Sequence, residues 1–383
     1  MHRRVVILGS TGSIGQSALE VAGALGPEVR IVGLAAGRSW KRLAEQATRF
    51  NVGTLALADE RHAAELRAAV RPGTRVLGGA QGLVELVQSC EADFVLAAIV
   101  GAAGLPATLA AVERGIDVGL ANKESLVVAG SILMPLARER GGRVIPVDSE
   151  HSAVFQALQS GEHGEVARVF LTASGGPFRT WARERIEDAT VEAALNHPTW
   201  NMGPKITIDS ATMMNKALEI MEAHHLFGLE PERIRVLIHP ESIVHSMVEF
   251  CDGATIAQLG TPDMRTPIQY ALTYPRRMPG IAEPLTWDTC RTLSFEPPDF
   301  ERFPALPLGY AAARRGGSSG AVLNAANEAA VERFRAGRIR FGQIVGLTEQ
   351  VLGRHRMIDE PGLGELLAAD AWAREEVERC MRS

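Results

Sequence analysis

The sequence predicts an α/β protein in three parts: a Rossmann-like doubly wound parallel sheet at the N-terminus, an α+β connecting part with an open sheet, and a C-terminal helical bundle. Three observations carry that expectation. Short β-branched runs alternate with helical stretches over residues 1–150, and a glycine turn follows the first run directly; beyond them the sequence becomes loop-rich, then proline-rich, then helical throughout. With 383 residues, 46% hydrophobic and 22% charged, the chain can bury a multi-domain core without disulfides. Its 45 acidic and 40 basic residues give a net charge of -5, which offers no electrostatic footprint for nucleic acid, so any phosphate must be bound locally. Cys90, Cys251, Cys290 and Cys380 lie far apart with no Cys-x-x-Cys, which indicates neither a disulfide framework nor a thiolate zinc site and fits a reducing cytosol. No apolar run reaches membrane-spanning length, and the start Met1-His2-Arg3-Arg4 passes directly into a strand; a cytoplasmic protein with no membrane partner is expected.

The first expected strand, Val5 to Leu8, runs into Gly9-Ser10-Thr11-Gly12-Ser13-Ile14-Gly15, after which Ala18, Val21 and Leu25 continue from Ile14 at helical spacing. Strand, glycine turn and helix let backbone N–H groups meet a pyrophosphate at the positive end of the helix. The spacing is Gly-x-x-Gly-x-x-Gly rather than the usual fingerprint, and such glycines can also serve tight packing; their place after the first strand favours a dinucleotide. The second expected strand, Arg30 to Ala35, ends in Ala36-Gly37-Arg38-Ser39, where an enzyme preferring NAD would place an acid. Arg38 and the Ser39 hydroxyl instead complement a 2′-phosphate, which favours NADPH; the plainer alternative leaves Arg38 solvated. Strands are expected again at Thr54 to Leu57, Arg75 to Leu77, Phe94 to Ala97, Asp117 to Gly119 and Val144 to Val147. Between the last two, Asn122-Lys123-Glu124-Ser125 falls at the carboxyl edge of the sheet, and a lysine at a helix start calls for a compensating anion, a phosphate being one candidate.

The alternation ends at Pro146-Val147-Asp148-Ser149-Glu150-His151-Ser152. In an extended chain Asp148 and Glu150 point the same way and, with Glu219 from a later helix, can converge on one hard cation. An oxygen-only set suits Mg2+ or Mn2+, with Co2+ behind them, better than zinc; an acidic pair at a strand end can equally lie in solvent. A helix is expected over His151 to Leu158 and a strand over Arg168 to Thr172. Residues 175–205 carry Trp181, His197, Trp200 and Met202 among several Pro and Gly, which suits a long loop with a short helix. Such a loop can act as a lid, with Trp200 closing over a small polar substrate, unless Trp200 packs statically beneath it.

Thr207 to Glu219 is expected to form a helix capped by Asp209 or Ser210, with Met214, Leu218 and Met221 buried and Asn215, Lys216 and Glu219 on a shared polar side. The plain reading of Lys216 and Glu219 is a surface pair worth little. The sharper one takes Ser210, the helix N-terminus and Lys216 as a phosphate seat close to a metal ligand. His224, His225, His239 and His245 lack the His-x-x-x-His spacing of a helical zinc site. Residues 239–250 and 255–259 look like two strands of an open sheet able to pair across a two-fold axis. Prolines dominate residues 274–303 as an extended linker, and Ala321 to Arg335, Phe341 to Arg354 and Pro361 to Arg382 show the helical periodicity of a small bundle that covers the site or supports the linker.

Taken together, Leu8 to Gly15, Ala121-Asn122-Lys123-Glu124-Ser125, Val147 to Ser152, His197-Pro198-Thr199-Trp200-Asn201-Met202-Gly203 and Met214 to Glu219 resemble the 1-deoxy-D-xylulose 5-phosphate reductoisomerase family, almost end to end. The resemblance implies an NADPH domain (1–150), a connecting catalytic and dimerisation domain (151–273), a linker (274–303), a C-terminal helical domain (304–383) and a homodimer. It implies that Asp148, Glu150 and Glu219 hold the metal and, with Lys123 and His197, form the catalytic set. Lys123, Ser149, Glu150, Ser174, His197, Trp200, Met202, Ser210, Asn215, Lys216 and Glu219 would meet a small phosphorylated sugar. Thr11, Gly12, Ser13, Ile14, Gly37, Arg38, Ser39, Asn122, Glu124 and Gly203 would meet NADPH. The implied reaction rearranges 1-deoxy-D-xylulose 5-phosphate to a branched aldehyde and reduces it to 2-C-methyl-D-erythritol 4-phosphate, an early step towards isoprenoid precursors. Ser39, Asn201 and Ala217 stand where members often have Asn, Ser and Gly. From the residues alone two other classes stay open: an NADP-dependent polyol phosphate dehydrogenase, which needs no three carboxylates, and a nucleotide-sensing protein, which needs neither lid nor metal helix.

Overall fold

The computed structural model describes residues 2–200, 202–288 and 292–382; Met1, Asn201 and Cys290, noted above, lie outside the described residues. Its packing separates two units, one of Met1–Ser125, Leu133–Ser152 and Asp263–Glu283, the other of Leu126–Ile132, Ala153–Pro262 and Pro284–Ser383.

In chain order the elements begin with β1 (Arg3–Leu8), α1 (Ser13–Leu25), β2 (Val29–Ala36), α2 (Trp40–Arg49), β3 (Thr54–Leu57), α3 (Ala63–Ala69), β4 (Arg75–Gly78), α4 (Gly79–Ser89), β5 (Phe94–Ala97), α5 (Leu105–Glu113), β6 (Asp117–Leu120), α6 (Lys123–Arg140) and β7 (Val144–Pro146). These seven strands pair in parallel in the order β4-β3-β2-β1-β5-β6-β7, with Pro146 on an edge strand where its missing N–H costs no ladder bond. The apolar run of β1 is fully buried from Val5 to Leu8, as expected for a strand covered on both faces. Strand order reverses beside β1, so the turn that leaves it sits at the switch point where such sheets take their ligands.

A later helix also belongs to this unit. Helix α12 (Arg265–Thr273) packs on α1, β6 and β7, and the buried Arg3 guanidinium donates to Ala271 O (3.1 Å) and Leu272 O (3.0 Å) while pairing with Asp117 at 2.7 Å. A cation is favourable at the carbonyl end of a helix. Hydrophobic periodicity gives no sign that residues 263–283 join the first sheet, because a helix buries the same face whichever partner covers it.

The second unit takes up the following elements: α7 (Ser149–Ala157), β8 (Val166–Ala173), α8 (Arg183–Glu187), α9 (Val191–Leu195), α10 (Pro204–Thr212), α11 (Met214–Phe227), β9 (Ile234–Ile238), β10 (Val244–Phe250) and β11 (Thr255–Leu259); after α12 come α13 (Ala305–Arg315), α14 (Ser319–Arg335), α15 (Gln343–Arg354) and α16 (Leu363–Cys380). Helix α7 begins at Ser149, in residues grouped with the first unit. The sheet runs β11-β10-β8-β9, with β8 parallel to β9 and antiparallel to β10. The sequence pattern missed β9 and α13. Helix α14 packs against α15 and α16, and α13 packs against α11. Among the described residues no helix is long and apolar enough to cross a membrane, and Cys90, Cys251 and Cys380 form no disulfide.

Candidate active site

The glycine turn after β1 is tight for a physical reason. Gly9 has φ +87°, and a Cβ there would lie 2.5 Å from the carbonyl oxygen of Ala98 at the exit of β5; a Cβ on Gly15 would lie 2.3 Å from Gly9 O. Those two glycines pack the turn against its neighbours. Gly12 is different: its Cβ would meet only Gly9 O at 3.4 Å, and as the N-cap of α1 it places no side chain over the first-turn N–H groups. Thr11, Gly12, Ser13 and Ile14 therefore frame a helix N-terminus that a pyrophosphate can approach by backbone alone. Gly37, Arg38 and Ser39 are exposed between β2 and α2, and a Cβ on Gly37 would meet nothing within 4 Å. The residues present fit a dinucleotide.

At the edge of β6 the Asn122 side chain caps α6, accepting from Ser125 N at 2.8 Å and donating to Gly101 O and Glu124. Asn122 and Glu124 are both buried, so their expected cofactor role rests on shaping the edge as much as on contact. Lys123 is buried as well, and it pairs with Asp148 at 2.9 Å. Burial by itself would raise the Asp148 carboxyl; Lys123, and after it His151 at 3.4 Å, hold it well below the usual carboxylate range.

The expected extended geometry of Asp148 and Glu150 is corrected here. Helix α7 starts at Ser149, so Glu150 lies in its first turn, and Asp148 precedes it with Oδ1 3.3 Å from Glu150 N. A carboxylate is favourable at a helix start, which ends the strand earlier than the hydrophobic pattern suggests. The Ser149 hydroxyl donates to Glu150 at 2.7 Å.

In the second unit the expected single helix from Thr207 to Glu219 is two. Met213 adopts a left-handed conformation (φ 62°) between α10 and α11, so Asp209 and Ser210 lie inside α10 rather than capping the polar helix. Met214, Leu218 and Met221 form the buried stripe as expected. The surface-pair reading of Lys216 and Glu219 fails: Glu219 is fully buried and Lys216 nearly so, and Glu219 accepts from Asn215 Nδ2 at 2.6 Å and from Lys216 Nζ.

Beside this helix pair His197 Nδ1 accepts the backbone N–H of Trp200 (2.9 Å) and of Thr199 (3.2 Å), which leaves the proton on Nε2. That nitrogen lies 3.1 Å from both the Ser174 and the Ser210 hydroxyls. Burial lowers the His197 pKa, consistent with a neutral ring. One imidazole N–H and two hydroxyls thus meet at one place, a donor set for phosphate oxygens. Gly176 makes the meeting feasible, since at φ +69° a Cβ would lie 2.6 Å from Ser210 O.

The stretch 175–205 holds two short helices, α8 and α9, instead of the one expected. Its base is fixed by Trp181, whose ring lies 4.6 Å from Phe178 and under the Arg185 guanidinium at 3.7 Å. Trp200 and Met202 are half-buried, and Trp200 approaches His245 at 6.3 Å between centroids without stacking. Gly203 is the N-cap of α10. No sequence signal singled out Asp209 as a clamp, although its i,i+4 spacing from Lys205 was readable: nearly wholly buried, it pairs with Lys205 at 2.8 Å and accepts from Asn327 Nδ2 at 2.8 Å. Zinc gains no support from His239, whose Nε2 accepts the N–H groups of Ile243 and Val244.

Three family models match the chain. That of 1-deoxy-D-xylulose 5-phosphate reductoisomerase covers residues 5–130, that of its C-terminal domain residues 144–227, and that of a further C-terminal domain of DXP reductoisomerase residues 259–376. The reductoisomerase of Symbiobacterium thermophilum is 52% identical over 382 residues, 98% of each chain. The chain belongs to the 1-deoxy-D-xylulose 5-phosphate reductoisomerase family. The reductoisomerase of Pelotomaculum thermopropionicum is 50% identical over 374 residues, 97% of each chain. Among solved structures, the Zymomonas mobilis reductoisomerase in complex with NADPH covers 100% of both chains with TM-score 0.95 and 43% identity. A second reductoisomerase, in complex with NADPH, fosmidomycin and magnesium, covers 99% of this chain and 98% of its own with TM-score 0.92 and 38% identity.

Proposed function

We propose that this chain converts 1-deoxy-D-xylulose 5-phosphate to 2-C-methyl-D-erythritol 4-phosphate, using NADPH and a divalent metal, in the cytoplasm and on the route to isoprenoid precursors. The observation that carries the reading is Glu219, a fully buried carboxylate oriented by Asn215 and Lys216 on one helix face. Withdrawing a carboxylate from water costs desolvation energy that its partners only partly offset, and such groups cluster at functional sites.

Asp148, Glu150 and Glu219 would hold the metal, and their oxygen-only chemistry fits Mg2+ or Mn2+, with Co2+ behind them. When bound, the ion supplies Lewis-acid stabilisation of charge developing on the substrate oxygens. Lys123 keeps Asp148 ionised, while Asn215 and Lys216 fix the Glu219 head group. The Ser174 and Ser210 hydroxyls and the His197 Nε2–H donate to the substrate phosphate, with Asn215 and Lys216 adding a donor and a cation. Ser149 steadies Glu150. Trp200 and Met202, on the loop that follows His197, exclude water when substrate is held. Thr11, Gly12, Ser13 and Ile14 take the pyrophosphate of NADPH, Gly37, Arg38 and Ser39 its 2′-phosphate, and Asn122, Glu124 and Gly203 the remaining contacts.

The division by function that we propose is 1–150 for NADPH, 151–273 for catalysis and dimerisation, 274–303 as linker and 304–383 as cover. It follows chemistry, and the packing differs from it by grouping Asp263–Glu283 with the first unit. A homodimer is supported by the half-exposed edge strand β11, where Ile256 is exposed.

The test is NADPH oxidation with 1-deoxy-D-xylulose 5-phosphate after chelation, with and without added Mg2+ or Mn2+. Oxidation that needs both the sugar phosphate and the metal is expected. Oxidation surviving chelation would favour a polyol phosphate dehydrogenase, and none under any metal would favour nucleotide sensing.

A further inference from the structure

The exits of β2 and β3 are tied together. Ala58 N donates to Ala36 O at 2.9 Å and Asp59 N to Gly37 O at 3.0 Å, which fixes the residues after β3 beside the Gly37-Arg38-Ser39 turn. Asp59 is nearly buried (side chain 11% exposed), and both its oxygens are engaged by one guanidinium: Arg61 Nε reaches Oδ1 at 2.8 Å and Nη2 reaches Oδ2 at 2.7 Å. The Arg61 backbone N–H adds a bond to Oδ1 at 3.2 Å. Arg38 Nε lies 3.6 Å from the same Oδ2, and both arginine side chains are largely exposed.

An acid at this edge of the sheet would by itself suit a ribose 2′-hydroxyl and repel a 2′-phosphate. Here its charge is spent on a fork-to-fork pair, the hydrogen bonds from Arg61 holding the carboxyl below the usual carboxylate range. Two cations around one anion leave a net positive charge. A surface pair of this kind commonly does nothing beyond steadying a loop. What distinguishes this one is its place: Ala58 and Asp59 are bonded through the backbone to Ala36 and Gly37, at the turn that carries Arg38, and the Asp59 carboxylate is shared with Arg38, the residue proposed to face the 2′-phosphate.

We infer that Arg61 is a second specificity-determining residue for NADPH, held by Asp59 beside Arg38 so that the two guanidinium groups share the 2′-phosphate. Asp59 pre-organises Arg61, and NADH, which lacks that phosphate, gains nothing from it. This rests on the reading that Arg38 meets the 2′-phosphate.

The experiment measures NADPH and NADH binding to the whole protein by fluorescence titration at low salt, without substrate, for wild type, Arg61→Ala and Arg38→Ala. Arg61→Ala should weaken NADPH about tenfold, the loss of one charge-assisted contact, and leave NADH unchanged. Unchanged NADPH affinity, or an equal loss for both cofactors, would overturn the inference; the second result would place Arg61 on the adenine or in the fold. If Arg38→Ala alone loses NADPH preference, the reading of Arg38 stands and only Arg61 is wrong; if neither variant does, both fall. Should the alanine variant misfold, Arg61→Lys, which keeps the charge but not the fork, is read by the same selective loss of NADPH.

Discussion

Glu219 shows how much of a residue's role depends on burial. On a helix surface, its pairing with Lys216 three residues away would contribute little. Fully buried, with Asn215 and Lys216 both donating to it, it becomes a fixed carboxylate whose replacement has two effects. Glu219→Gln should lower turnover about a hundredfold or more by weakening the metal. It should also cost about 1.5–3 kcal/mol of stability, because Lys216 loses a charged partner. Calorimetric Mn2+ titration with a thermal melt checks both; unaltered Mn2+ affinity would remove Glu219 from the metal set. The two loop tryptophans divide the same way. Trp181→Ala should destabilise by about 2 kcal/mol, short of the cost for a wholly buried aromatic, since its ring packs on the buried Phe178 and under Arg185. Trp200→Ala should leave the melting temperature near wild type and NADPH binding intact while raising KM and lowering kcat. A melting temperature that fell as far as for Trp181→Ala would make Trp200 part of the core.

Among the elements, α11 and α13 explain a departure that the sequence only raised. The resemblance read from the sequence implies Gly in many members at position 217; here Ala217 stands on the helix that bears Glu219. Opposite it lies Gly309 of α13, and a Cβ there would fall 2.6 Å from Ala217 Cβ and 2.7 Å from its Cα. The methyl group of one helix thus fills the space left by the other. Gly309→Ala should therefore destabilise by about 1–3 kcal/mol, as overpacking does. Adding Ala217→Gly should recover part of that loss, since the backbone approach remains. Urea unfolding of the two single variants and the double variant measures the coupling; strict additivity would mean the helices simply move apart.

At the scale of the whole molecule, stability should fall on the acid side. Burial, with His224 adding to it, pushes His225 down to about 4, while in the unfolded chain a histidine titrates near 6.5. Above that value both states are neutral and the group contributes no pH dependence. As pH falls from about 6.5 to about 4, the unfolded state takes up a proton that the folded state refuses, and stability is lost by about 2–4 kcal/mol in all. His197, lowered in the same direction, adds to the loss. Urea unfolding at a series of pH values should show this decline, and His225→Gln should flatten it; an unchanged slope would assign it to other groups. By itself the sequence determined the parallel sheet, the glycine turn and the family, and it nominated the site residues, because period, turn chemistry and the five motif blocks are local properties of the chain. Tertiary structure alone decided that residues 263–283 complete the first unit, that Met213 breaks the polar helix, and that Lys123, Lys216 and Glu219 are buried. Which charges are withdrawn from water, and which partners meet them there, depends on residues far apart in the chain, and no local pattern records that.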